Sequence, residues 1–321
     1  TSDMNSGKGM IGTGPYMFRH VEPASRVEMI ANQAYWGKKP AWDHVTLRFI
    51  KQPAARVAAL LAGDVDVIDQ VPPSDARSLA ANPKISLFSI AATRLVYLAL
   101  DSARADSPFM TDRAGKTMDR NPLQDARVRQ ALSLMIDRNA LATRLLDGSA
   151  QPAGQFVPEG IGGYDPSLQP PAADIPAAKK LLAEAGYPSG FGLTLHSSND
   201  RLPQDSAVAQ ALGQMFMRAG LAVNAVVTQP YNVYAAAASR GTYSIFLFSF
   251  GTTSASSADG LTSVLATHDP AHGLGAFNRT RYSNAAFDAA LGKALGEFDA
   301  DKRNAELAAA TSGAHLFVMA E

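Results

Sequence analysis

Apolar positions recur at helical spacing from residue 125 onward. Val128, Leu132, Met135 and Ile136 fall at i, i+4, i+7 and i+8, so they share one helix face, and Asp125 stands where an N-cap belongs. Asp137 can cap a second helix carrying Leu141 and Leu145, with Gly148 as its stop. A proline- and glycine-rich loop over 151–171 follows, then a helix over about 176–185 stopped by Gly186 and Pro188. The stretch contains no catalytic constellation. It reads as scaffold.

The flanking pattern alternates. Upstream, strands are predicted at 16–20, 26–31 and 45–50, the last with Val45, Leu47 and Phe49 on one face. A helix over 52–62 ends at Gly63, a short strand covers 64–68 and a helix 74–81. Runs 85–90 and 93–100 read as paired strands. The polar loop 101–122 is the expected domain boundary. Downstream come strand 192–197, helix 204–219, strand 222–229, helix 231–239 and the strongly apolar strand 244–250. Helices at 261–266, 287–297 and 301–311 follow. Strands alternating with helices predict an α/β layer arrangement. The small polar loop GTTSASSAD at 251–259 leaves the carboxyl end of a strand, where open α/β sheets bind their ligands.

Composition narrows the partners. The chain has 321 residues, 46% apolar and 18% charged, enough for two globular domains. Twenty-nine basic residues balance 29 acidic ones without a dense basic block, so neither nucleic acid nor an anionic membrane surface is favoured. There is no cysteine, which removes thiol catalysis, Cys-ligated metal and disulfides. No apolar run is long enough for a transmembrane helix and no signal peptide is evident. The chain opens on Thr1 and stops at HLFVMAE, which reads as a piece or processed form of a longer protein.

The candidate chemistry is sparse. Residues 7–12 match G-x-G-x-x-G, but a polar start before them and Gly14-Pro15 after them deny the strand–helix context that a dinucleotide needs; a glycine-rich turn is expected. Asp64 and Asp66 at i and i+2 suit exposed strand-edge charge better than a cation site. His268 and His272 have metal-ligand spacing with Pro270 between them and no adjacent Glu, so neither metal nor cofactor is expected. No G-x-S-x-G and no P-loop occur. Arg201 follows a strand end, where its guanidinium could take a carboxylate or phosphate, or simply cap a loop. Asn278, Arg279 and Arg281 read as a solvated loop rather than a second anion site. Tyr97, Tyr231 and Tyr234 could wall a ligand or pack in the core.

Several motifs, in order, resemble one family. They are GTGPY at 12–16, NQAYWG at 32–37, GDVDVI at 63–68, DARVRQALSLMIDRNAL at 125–141, AAKKLLAEAGYPSGF at 177–191 and RYSNAAFDAAL at 281–291. The chain is similar to family 5 extracellular solute-binding proteins, which include dipeptide-, oligopeptide-, nickel- and glutathione-binding proteins of ABC importers. The resemblance implies an α/β, type II Venus-flytrap protein with mixed sheets flanked by helices. Residues 1–100 would be part of the first lobe and 101–321 the second. Family members are longer at both ends.

The resemblance further implies a monomer, periplasmic or a cell-surface lipoprotein, that hands a peptide or small polar solute to a membrane permease without catalysis. Arg201 stands where peptide binders hold the ligand carboxylate. Their amine-holding aspartate has only Asp259 near its place, amid Gly251, Thr252, Thr253 and Ser254, so a polar or anionic ligand suits this loop as well as a dipeptide. Two other readings stay open: a hydrolase using His196 with Asp200 and Arg201, and a receptor-coupled sensory subunit.

Overall fold

The computed structural model describes residues 7, 9–313 and 318–320. The chain divides into two compact units, Thr1–Asn82 and Pro83–Glu321.

The first unit holds an antiparallel sheet of β1 (Tyr16–Glu22), β2 (Arg26–Ala31) and β3 (His44–Arg48), in that order. The turn around Ala24 closes the first hairpin, with Val21 opposite Val27 and Val27 opposite Leu47. Helix α1 (Pro53–Ala62) opens on proline and ends at Gly63, whose φ of 78° is the left-handed C-cap its sequence predicts. Helix α2 is Pro73–Ala80. Among the described residues of this unit the buried apolar side chains are Ala31, Val57, Pro73 and Leu79. The expected strand at 64–68 does not form. Val67 is 79% exposed, so no apolar face exists there to hold a strand. Of the G-x-G-x-x-G run, Lys8 lies outside the described residues, and Gly7 and Gly9 are in turns.

The second unit is built on a six-stranded sheet. Its strands are β4 (Arg94–Leu100), β5 (Met110–Thr111), β6 (Gly192–Ser198), β7 (Ala222–Gln229), β8 (Ile245–Gly251) and β9 (Val318–Ala320). β6 runs parallel to β7 on one side and to β8 on the other, β8 pairs antiparallel with β4, and β9 lies outside β4. β5, a two-residue strand hidden in the polar loop, pairs with the start of β6. β4, expected from sequence to pair with 85–90, pairs instead with β8 from Arg94–Gly251 to Leu100–Ile245. Residues 85–90 are in no strand; Phe88 and Ile90 are exposed.

Each face of the sheet carries its own core. Leu98, Leu100, Leu193, Leu195, Ile245 and Leu247 face α3 (Ala126–Leu134), α4 (Ile175–Glu184) and α5 (Asp205–Arg218). The apolar face read from sequence, Val128, Leu132, Met135 and Ile136, is fully buried in this cluster. Its cap forms as expected, with the Asp125 carboxylate accepting from the Arg127 N–H at 2.9 Å. Asp137 likewise accepts from the Ala140 N–H, and Asp174 from the Ala177 N–H, at 2.9 Å each. Leu95, Tyr97, Ala99, Phe246 and Phe248 face α6 (Tyr231–Ser239), α7 (Ala285–Gly296) and α8 (Ala300–Gly313). The uninterrupted apolar run of β8 follows from this: both its faces are covered.

His196 sits inside the second layer. It is 4% exposed, stacked on Tyr243 at 4.2 Å and edge-on to Phe109 at 4.6 Å between ring centroids. Burial pushes its pKa down from 6.5 to about 4, against a smaller opposing effect of a backbone hydrogen bond with Ile245. A depressed histidine pKa means that the unfolded chain binds the proton first. Stability is therefore full above pH 6.5 and falls as pH drops towards 4. We expect His196 to cost about 2 kcal/mol between pH 7 and pH 5. Urea midpoints of wild type and His196→Phe at the two pH values check this: the wild-type drop should shrink in the variant.

Candidate functional site

Three parallel strands, β6, β7 and β8, end at the same sheet edge, where β4 begins. The loop after β6 is built around Asp205, 3% exposed in the first turn of α5. One of its carboxylate oxygens accepts from the Ser198 hydroxyl at 2.7 Å and from the N–H groups of Arg201 and Leu202 at 3.1 and 3.3 Å. Gln204, at φ 57°, turns the chain into the helix. Asp200 accepts from the Tyr231 N–H at 2.7 Å, which ties this loop to the start of α6. The Arg201 guanidinium lies over the Tyr231 ring, 5.2 Å from its centroid. Among the described residues no acid forms an ion pair with it. An exposed Arg201 and a half-buried Tyr231 thus stand together at the strand ends with their backbones fixed.

The loop after β8 is pinned differently. Thr252 donates its N–H to the Thr93 carbonyl at 2.9 Å, and the Thr93 hydroxyl donates to the Thr252 carbonyl at 2.8 Å. Asp259 accepts from the N–H groups of Thr253 and Ser254 at 3.1 and 2.9 Å and from the Thr253 hydroxyl at 3.3 Å. Burial works to raise the Asp259 pKa, but these bonds outweigh it and hold the carboxyl below its usual range. The donors expected to face a ligand at Thr253 and Ser254 are thus turned onto Asp259. One of its two oxygens, in turn, is committed to the loop. Gly251 remains at the edge, beside Arg94.

Tyr97 is not at this edge. Its ring packs against Phe156 at 6.1 Å within the second core, and burial raises its pKa. Tyr234 is also core; its hydroxyl donates to the Leu247 carbonyl. Arg279 does not join Arg281 in an anion site; its guanidinium stacks on Phe248 at 4.1 Å and Phe277 at 5.3 Å. Asn278 is buried, with its amide donating to the carbonyls of Ala266 and Tyr282. His272 pairs with Asp269 at 2.6 Å while His268 meets the Gly275 carbonyl, and the described residues form no cluster able to hold a metal. The hydrolase geometry is missing as well, because His196 is walled between rings and Asp200 is engaged by Tyr231.

A cavity of about 680 Å³ lies elsewhere in this unit, between the start of the 138–145 helical segment and the 151–171 loop. Its buried Arg138 bonds the carbonyls of Ser133, Ile136 and Pro171 and the Ser133 hydroxyl, and burial lowers its pKa to about 10. A guanidinium that fastens a loop in this way marks structure, so the strand-end edge is the better candidate site.

Residues 2–271 match the model of the bacterial extracellular solute-binding proteins, family 5 middle region. The chain belongs to this family. It is 25% identical to heme-binding protein A of Haemophilus influenzae over 91% of this chain and 50% of that protein. It is 30% identical to the glutathione-binding protein GsiB of Salmonella paratyphi A over 59% of this chain and 34% of the relative. The periplasmic binding protein DppA of Helicobacter pylori, solved with the peptide STSA, superposes with a TM-score of 0.76 at 23% identity, covering 96% of this chain and 57% of DppA. The fold is that of type II periplasmic binding proteins. The chain spans half or less of the length of these two sequence relatives. Such family 5 relatives are binding proteins of transport systems, not enzymes, and are periplasmic or extracellular. Among the described residues no helix is long and apolar enough to cross a membrane.

Proposed function

We propose that this family 5 protein captures a peptide or other small polar solute bearing an anionic group and delivers it to the membrane permease of an ABC importer. It would work in the periplasm or at the cell surface, as a monomer. The observation that carries the reading is Arg201: an exposed guanidinium without an acid partner among the described residues, stacked on Tyr231 at the carboxyl ends of parallel strands, with the Arg201 backbone N–H held by Asp205. Such a group offers a planar fork to a carboxylate while its desolvated face rests on an aromatic ring. Gly251 and the pinned loop at Thr252, Thr253 and Ser254 form the neighbouring wall. Binding chemistry of this kind needs no cofactor.

The test is titration of the full-length protein with short peptides. Arg201→Ala should cost about 1.5–3 kcal/mol of affinity, roughly tenfold or more, for peptides with a free carboxylate. It should cost little for their C-terminal amides. An unchanged dissociation constant for the free acids removes Arg201 from the site.

A further inference from the structure

Arg94 is a second guanidinium on this edge, and no sequence pattern marked it. It opens β4, directly across from Gly251. Its head group lies against that glycine: a Cβ at 251 would sit 2.9 Å from Nη2 and 3.1 Å from Cζ. Among the described residues its guanidinium makes one hydrogen bond, a long one of 3.4 Å from Nη1 to the Ser249 hydroxyl, a neutral partner. Other arginines of the chain, Arg26, Arg104 and Arg127, hold carboxylates, but among the described residues none pairs with Arg94. The adjoining Thr252 hydroxyl is buried without a hydrogen-bond partner among the described residues, next to the same glycine. The backbone beneath is rigid, since Thr93 and Thr252 bond each other twice.

We propose that Arg94 is a specificity-determining residue that takes a second anionic group of the solute, so that the preferred ligand is an acidic peptide rather than a neutral one. This rests on the reading of Arg201 as the holder of the first anionic group. β4 and β6 flank β8, so their ends are two strand spacings, about 10 Å, apart. Arg201 leans further away, onto Tyr231 at the end of β7 on the far side of β6. One carboxylate cannot reach both heads. Two carboxylates at opposite ends of a tripeptide can, because an extended chain advances about 3.3–3.6 Å per residue. Gly251 has a role in this arrangement: any side chain there would displace the guanidinium.

The experiment is calorimetric titration of the full-length protein and its Arg94→Gln and Arg201→Gln variants. The probes are Glu-Ala-Ala, Gln-Ala-Ala and Glu-Ala-Ala amide. Wild type should prefer Glu-Ala-Ala over Gln-Ala-Ala by about tenfold to a hundredfold. Arg94→Gln should abolish that preference and keep the preference of acid over amide; Arg201→Gln should do the reverse. Gly251→Ala, with Arg94 intact, should erode the Glu-over-Gln preference without changing the circular dichroism spectrum. A Glu-over-Gln preference that survives in Arg94→Gln, or is absent from wild type, overturns the proposal. So does failure of all three peptides to bind. An acid-over-amide preference that survives in Arg201→Gln overturns the reading of Arg201 alone and leaves the Arg94 result to be judged by its own pair of peptides.

Discussion

Phe216→Ala is expected to destabilise the protein by about 3–5 kcal/mol, which for a unit of this size lowers the melting temperature by roughly 10 °C. Phe216 is fully buried on the inner face of α5, in the cluster that joins that helix to Leu193, Leu195 and Ile245 of the sheet. Truncation removes a ring from a close-packed layer and leaves a cavity that β6 and α5, both pinned by backbone hydrogen bonds, cannot collapse to fill. Phe216 also lies away from the strand-end edge. Below the new melting temperature, peptide affinity should therefore stay within a factor of a few of wild type. Thermal melts followed by circular dichroism measure the first effect and titration the second. A drop under 1 kcal/mol would mean that this core is looser than the packing shows.

Asp205→Ala is expected to cost about 2–4 kcal/mol and to weaken anionic ligands as well. Its carboxylate satisfies the buried Ser198 hydroxyl and three N–H groups, one of them that of Arg201. Alanine leaves the hydroxyl without an acceptor and lets the 199–204 loop choose other conformations. Arg201 is then presented correctly for only part of the time, and affinity falls by that fraction. Asp205 is a positioning residue, and one comparison separates this from general damage. Asp205→Asn keeps an acceptor oxygen and should recover most of the affinity for Glu-Ala-Ala, whereas Phe216→Ala loses stability without losing affinity. Equal affinity in Asp205→Ala and wild type would show that the loop holds its shape without the carboxylate.

Much of the architecture was legible in the sequence because it is locally encoded. Strand β7 and helix α6 fall where the sequence puts them, and Asp125 and Asp137 cap helices. Pairing was less legible. Residues 85–90 have the alternation of a strand, but alternation states only that a segment can pair, not with what. β4 found its partner about 150 residues away, in β8. The two residues of β5 are too few to carry a period. At the site, Arg201 announced itself by following a strand end. Arg94 could not, because one arginine at the start of a strand looks like any solvated edge charge until its neighbour is seen to be a glycine. What the sequence could not show at Asp259 is its local role: one of its oxygens is turned onto Thr253 and Ser254.

We propose that a small anionic solute is captured at the edge where Arg201 stands. Native mass spectrometry of the full-length protein, purified without denaturation from its host, tests this most directly. A bound small molecule carrying at least one acidic group is expected, with occupancy falling about tenfold or more in Arg201→Ala. A bound solute with no acidic group, or one retained equally by Arg201→Ala, would contradict it.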